Sequence, residues 1–199
     1  MRVLIACEFS GIVRDAFLAK GHDAMSCDLL PTESPGPHYQ GDVFDIIGDG
    51  WDMMIAHPPC THLALSGAAW FEGKRKDGRQ AEAISLFMRM ANAPIPRIAI
   101  ENPANIMGRI WRKRDQVIQP YRFGDPYQKT TWLWLKGLPK LKATHSEAPL
   151  FSETLDKGEM VTFASGRRMP KWYAESRGDG HLRSMTFPGI ARAMADQWG

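Results

Sequence analysis

The chain has 199 residues, 44% of them apolar and 24% charged, with a formal net charge of +3. That length suits one domain with a sizeable core, and an average share of charge argues against wholesale disorder. No apolar run approaches the roughly 20 residues that cross a bilayer, and Glu8 breaks the apolar start before a signal peptide could form. A soluble, cytoplasmic protein is expected. Cys7, Cys27 and Cys60 are too few for a disulfide scaffold, and none belongs to a Cys-x-x-Cys pair.

Residues 2–7 read as a short buried strand. Ile12, Val13, Ala16 and Phe17 then recur at helical spacing and stop at Gly21. Ala24 to Cys27 is a second strand, with Asp28 at its end. Pro31 to Gln40 holds three prolines and a glycine and reads as a loop. Trp51 to Ala56 is a third apolar run, leading into Pro58-Pro59-Cys60. Gln80 to Asn92 is amphipathic, with Ala83, Ile84, Phe87, Met88 and Ala91 on one face. Residues 96–100 form a strand ending at Glu101-Asn102-Pro103, and Thr131 to Leu135 is another β-prone run. Residues 188–198 form a C-terminal helix. The segment from about 139 to 180, rich in glycine, reads as an irregular insertion. Strands alternating with helices predict an α/β fold, a mostly parallel sheet with helices on both faces.

Ligands of such sheets sit beyond the carboxyl ends of the strands. Phe9-Ser10-Gly11, Asp28, Pro58-Pro59-Cys60 and Glu101-Asn102-Pro103 therefore line one rim. A double proline before Cys60 holds the thiol in a fixed place, as a nucleophile requires. A lone cysteine there reads first as an ordinary buried one. The second polar strand end, with its own proline, favours chemistry: a thiolate and a carboxylic acid facing one gap suit attack on a ring with proton donation to a ring nitrogen.

Pro58-Pro59-Cys60 followed some 40 residues later by Glu101-Asn102-Pro103 resembles the DNA cytosine-5 methyltransferases, in particular their small phage- and prophage-type members. The resemblance covers residues 1–139 and the tail from about 181. It implies a single methyltransferase domain over 1–199 with a Rossmann-like S-adenosylmethionine fold, the 139–180 insertion being a reduced target-recognition segment. It implies Cys60 as the nucleophile on C6 of cytosine and Glu101 as the group on N3 and the exocyclic amine. Asn102 and Pro59 would shape the two loops. The cofactor, S-adenosylmethionine, would lie on Phe9, Ser10, Gly11, Asp28, Asp42 and Pro58. Gly11 reads equally as a tight turn, and Asp28 or Asp42 as caps.

The sequence departs from the family at Val13, where a second glycine is usual, and at Thr61, where a glutamine is usual. The family's usual Gln-x-Arg-x-Arg strand finds only Gln128-Lys129-Thr130-Thr131-Trp132, leaving Lys129 as the substitute cation. The usual glycine-asparagine before the last helix is replaced around Ser184-Met185.

His57, Cys60 and His62 lie close in sequence, but the zinc deaminase pattern is missing, so no metal is expected. Basic clusters follow both motifs. Lys74 and Arg75, then Arg112, Lys113 and Arg114, with Lys129 and the insertion's Arg167 and Arg168, are the expected contacts to DNA phosphates; each cluster alone also reads as a solvated face. Residues 61–78, with Gly67, Gly73 and Gly78, suit a mobile loop that fills the gap left by a flipped base, with Trp70 and Phe71 placed to stack or wedge. Rival readings are the same scaffold acting on RNA or a free pyrimidine nucleotide, transfer of another group, or a non-catalytic nucleic-acid-binding relative.

Overall fold

A computed structural model describes residues 1–145, 155–176 and 178–199. The parts of the 139–180 insertion at 146–154 and 177 lie outside the described residues. Nine strands occur among those described, in chain order: β1 (Arg2–Ala6), β2 (Asp23–Asp28), β3 (His38–Gln40), β4 (Met53–Ala56), β5 (Arg97–Pro103), β6 (Gln116–Ile118), β7 (Thr131–Lys136), β8 (Met160–Thr162) and β9 (Arg168–Pro170). The helices are α1 (Ile12–Leu18), α2 (Phe71–Lys76), α3 (Arg79–Ala91), α4 (Met107–Ile110), α5 (Lys171–Glu175), α6 (Gly180–Ser184) and α7 (Pro188–Trp198).

Seven strands make one sheet in the order β3-β2-β1-β4-β5-β7-β6, and β8 pairs with β9 as a separate ribbon. Neighbours from β3 to β5 are parallel, whereas β7 runs antiparallel to both β5 and β6. The expected α/β, mostly parallel architecture is therefore present. The central strands are apolar along their whole length because both faces are covered. On one face Val3, Ile5, Met53, Ile55 and Leu133 pack with Val13 and Phe17 of α1 and Ile190, Met194 and Trp198 of α7. On the other, Leu4, Ala6, Met54, Ile98, Ile100 and Trp134 pack with Phe87 and Met90 of α3.

Three details differ from the sequence reading. Residues 38–40 form edge strand β3 rather than loop, because Ser26, Cys27 and Asp28 pair with them once the prolines are passed. Residues 61–78 are not an open loop: a 3-10 turn over Leu65–Trp70, which contains Gly67, continues into α2, which contains Gly73. Of the three glycines only Gly78 takes a positive φ, +86°, where α3 opens. Strand β5 runs on through Pro103, since β7 supplies partners as far as Thr131.

The strand order reverses between β1 and β4. Chain leaving β1 turns toward β2 and chain leaving β4 toward β5, so the connections diverge and a crevice is expected beyond the strands' carboxyl ends. Phe87 anchors the α3 side of the sheet, fully buried and edge-on to Trp134 at 5.3 Å between ring centroids. Phe87→Ala should lower unfolding stability by about 3–5 kcal/mol, the usual result of emptying an aromatic site. Denaturant unfolding measures it, and a loss below about 1 kcal/mol would mean the cavity collapses freely.

Candidate active site

The loop after β1 begins with Cys7 at a φ of +57°, a left-handed conformation seldom taken by a residue with a side chain. The turn buries Glu8, whose Oε1 accepts from Val13 N at 2.7 Å and from the Ser10 hydroxyl at 3.3 Å. Helix α1 has no cap from its own N-cap residue, Gly11, which sits at φ +77°. Glu8 and Ser10 serve its orphan amide donors instead, Ser10 Oγ accepting from Ile12 N at 3.3 Å. Burial pushes the Glu8 carboxyl up, against the opposing pull of His57 and of these hydrogen bonds.

Parallel pairing of Ala56 with Ile100 brings the ends of β4 and β5 out together. Asn102 locks them: its Nδ2 donates to the Pro58 carbonyl at 2.7 Å, and its Oδ1 accepts from Asn105 Nδ2 at 2.8 Å. Asn102 and Asn105 are both buried, so these bonds replace water that neither group can reach. Beyond Cys60 the chain turns at once, Leu63 N and Ala64 N donating to the Cys60 carbonyl at 2.9 and 2.8 Å. Pro58 is buried, Pro59 exposed and Cys60 half-buried.

Glu101 is 13% exposed, and its Oε2 lies 3.1 Å from His57 Nδ1, a ring 8% exposed. Burial works against the charge on Glu101, yet the His57 hydrogen bond, the Lys129 charge and Thr131 outweigh it and hold the carboxyl below its ordinary value. At Cys60 the balance is reversed. Burial, then the Glu101 carboxylate, pushes the thiol up, with Lys129 and Arg183 opposing. Lys129 also donates to the carbonyls of Arg183 at 2.9 Å and Met185 at 3.3 Å, tying the tail to the site.

On the cofactor side Asp28 stands at the end of β2, its Oδ1 accepting from Leu30 N at 3.0 Å. Asp42 Oδ1 accepts from Phe44 N at 3.0 Å and caps the turn over Val43–Asp45. Phe9 lies under His181 of α6, ring centroids 5.0 Å apart, and His181 contacts Glu33. Between these walls lies a small cavity of about 40 Å³, lined by Cys7, Glu8, Ser10, His57, Ser184 and Met185 among others.

The basic residues divide. Lys74, expected to face phosphate, is buried, and its Nζ donates to the Thr61 carbonyl at 2.6 Å. It braces the turn after Cys60. Arg112 is half-buried, paired with Asp115 at 2.6 Å and donating to the Leu135 carbonyl at 3.0 Å. Arg75, Lys113, Arg114, Arg167 and Arg168 are exposed, Arg114 lying over the Trp132 ring at 4.2 Å. Sequence reasoning missed Glu8, and weighed His57 only as a metal ligand. The signal was an imidazole directly before the double proline. Among the described residues no group of three or more His, Cys, Asp or Glu is placed to hold a metal ion, and no helix is long and apolar enough to cross a membrane.

The two other thiols are pushed up to about 12, chiefly by burial, so Cys60 is the one expected to react. Its alkylation by iodoacetamide should accelerate with pH toward a midpoint above the ordinary thiol range. Glu101→Gln should move that midpoint down, because a negative neighbour is removed. Alkylation rates across pH, with Cys60→Ser as the blank, measure this; an unmoved midpoint would mean the carboxylate does not act on the thiol.

No family model and no curated protein matches the chain. Among solved structures it is similar to a protein of E. coli described as a DNA modification methyltransferase encoded within a prophage, at 15% identity and a TM-score of 0.46, over 68% of this chain and 46% of that one. It is also similar to the Entamoeba histolytica methyltransferase EhMeth, at 13% identity and a TM-score of 0.49, over 80% of this chain and 58% of that one. The chain thus spans about half the length of these structures.

Proposed function

We propose that the chain methylates cytosine at C5 in DNA, with Cys60 as the covalent nucleophile and Glu101 as the group on the base's pairing edge. The observation that carries this reading is the placing of a half-buried thiol and a buried carboxylate on two strand ends that Asn102 ties together. Such rigidity suits a reaction in which a ring must meet nucleophile and acid at once.

The residues present suit an adenosyl cofactor in their chemistry. Gly11 takes a φ of +77° in the turn after β1, and Asp28 offers carboxylate oxygen to ribose hydroxyls. Leu29 and Leu30, 73% and 52% exposed, give apolar surface beside it. Phe9, Ser10, Gly11, Asp28 and Pro58 would hold the group, and Asp42 would join them with the oxygen its cap leaves over. S-adenosylmethionine, when bound, supplies the methyl group to C5.

In this reading the chain's residues saturate and then restore the C5–C6 double bond of the base. Sulfur of Cys60 bonds to C6, and the electron pair this displaces is stabilised as Glu101 engages N3. After methylation the C5 proton leaves to water, the C5–C6 double bond reforms and the thiolate departs. Exposed Arg75, Lys113, Arg114, Arg167 and Arg168 supply phosphate contacts, in keeping with a nucleic-acid substrate.

DNA carrying 5-fluorocytosine should trap the wild-type protein in the presence of S-adenosylmethionine, because fluorine cannot leave as a proton does. The adduct should survive denaturing electrophoresis and vanish in Cys60→Ser, whose hydroxyl is a far weaker nucleophile. Nucleoside mass spectrometry after expression should show 5-methylcytosine in DNA. An adduct that persists in Cys60→Ser, or 5-methylcytosine found only in RNA, would overturn the assignment.

A further inference from the structure

His57 is the member of the site that the roles of Cys60 and Glu101 leave without a task. Because Ala56 pairs with Ile100, the next residues along, His57 just past β4 and Glu101 still within β5, lie side by side. Nδ1 is 3.1 Å from Glu101 Oε2, while Nε2 is buried and has no hydrogen-bond partner among the described residues. The ring also lines the small cavity with Cys7, Glu8 and Ser184. A buried imidazole with one nitrogen engaged and the other idle is an expensive way to fill space.

The groups around it come from every neighbouring element. Glu8 faces it from the loop after β1 and Glu101 from β5. Lys129, just before β7, faces Glu101, and Cys60 lies within the field of Glu101, Lys129 and Arg183. Two buried carboxylates beside one imidazole are thus driven apart, Glu8 upward by burial and Glu101 downward against burial. Divergence of this kind marks groups with separate acid and base duties.

Resting on the cytosine-5 reading, we propose that His57 and Glu101 act as one proton-carrying pair. His57 is a positioning residue that fixes Glu101 and shares with it the proton that leaves Cys60 and enters the ring at N3. As a sulfur lone pair forms the bond to C6, the S–H bond breaks and its proton passes to the pair. The C5–C6 π electrons shift into the ring, and N3 takes a proton from Glu101. One proton leaves sulfur and one arrives at nitrogen, so attack draws none from water. When the cysteine departs, the C6–S electrons return to sulfur and the N3 proton runs back through Glu101.

Two variants of the full chain separate clamp from proton. His57→Asn keeps a donor where Nδ1 stood but exchanges no proton. Its kcat for DNA methylation should fall about a hundredfold, the lower end of the usual range for a lost acid–base partner. The acid limb of its pH profile should move to lower pH, because only Glu101 remains to be protonated there, with KM values changed less than about twofold. His57→Leu removes the donor as well. In this variant, free of cofactor and DNA, carboxyl-carbon NMR should show Glu101 titrating at higher pH than in the wild type, since nothing from His57 then opposes burial. A wild-type pH profile in His57→Asn overturns the inference, as does an unmoved Glu101 titration in folded His57→Leu. If His57→Leu does not fold, the Asn variant decides alone. A wild type that forms neither adduct nor 5-methylcytosine would overturn the functional reading instead, a result the Glu101 titration reads separately.

Discussion

A carboxylate kept from water has to be stabilised by its immediate neighbours, and Glu101 is such a group at the end of the central sheet. Its partners come from three places far apart in sequence: His57 after β4, Lys129 before β7, and Thr131 at the start of β7. Each is in reach only because the strands pair in one register. A slip of β5 by one residue would turn Glu101 to the opposite face and leave His57 beside an apolar neighbour. The Asn102 bond to the Pro58 carbonyl guards against such a slip from the loop side. Register, buried charge and loop geometry are one constraint seen from three sides.

Glu8 shows what the same environment does with a different balance. Its carboxylate serves the start of α1, where the amide donors and the positive end of a seven-residue helix favour negative charge. Burial nevertheless wins, and its folded pKa lies above the ordinary value. Above the unfolded range, Glu8 therefore detracts from stability, and the penalty fades as pH falls through its raised folded value. Glu101 has the opposite sign. Its contribution is present above the unfolded range and is lost as pH falls through its lowered folded value. Acid thus acts in opposite directions on two carboxylates that flank one imidazole.

The central strands were legible because strands covered on both faces read as unbroken apolar runs, and α3 because only one of its faces is covered. Strand β6 was not legible: three residues at the sheet edge, with Val117 exposed, carry no pattern. Nor does an apolar run reveal its direction, so the antiparallel course of β7 had no sequence signal. At the site, Cys60 and Glu101 stood out because each closes an apolar run with proline beside it. His57 did not, since its partner is 44 residues away and only strand register joins them. Lys74 misled for a related reason. A run of charges says nothing about which member turns inward, and here the turn after Cys60 offered a carbonyl to one of them.

Stiffness is unevenly spread around this crevice. The chain around Cys60 and Glu101 is braced by hydrogen bonds between buried groups, Asn102 to Pro58 and Asn105 to Asn102. Each is expensive to break, because the freed group would stay away from water. The tail segment that roofs the cavity is held differently. His181 and Glu33, 46% and 43% exposed, make a surface contact of the kind worth about 0–1 kcal/mol, and Lys129 holds the tail through two backbone carbonyls and the Phe187 ring. The cavity beneath, about 40 Å³, has room for little more than a few water molecules. Any nucleoside-sized ligand reaching Glu8 and His57 must therefore displace Ser184, Met185 and Thr186, while the nucleophile and the carboxylate keep their places. The fold thus puts its weak contacts where a ligand has to enter and its strong ones where two reacting groups have to stay aligned.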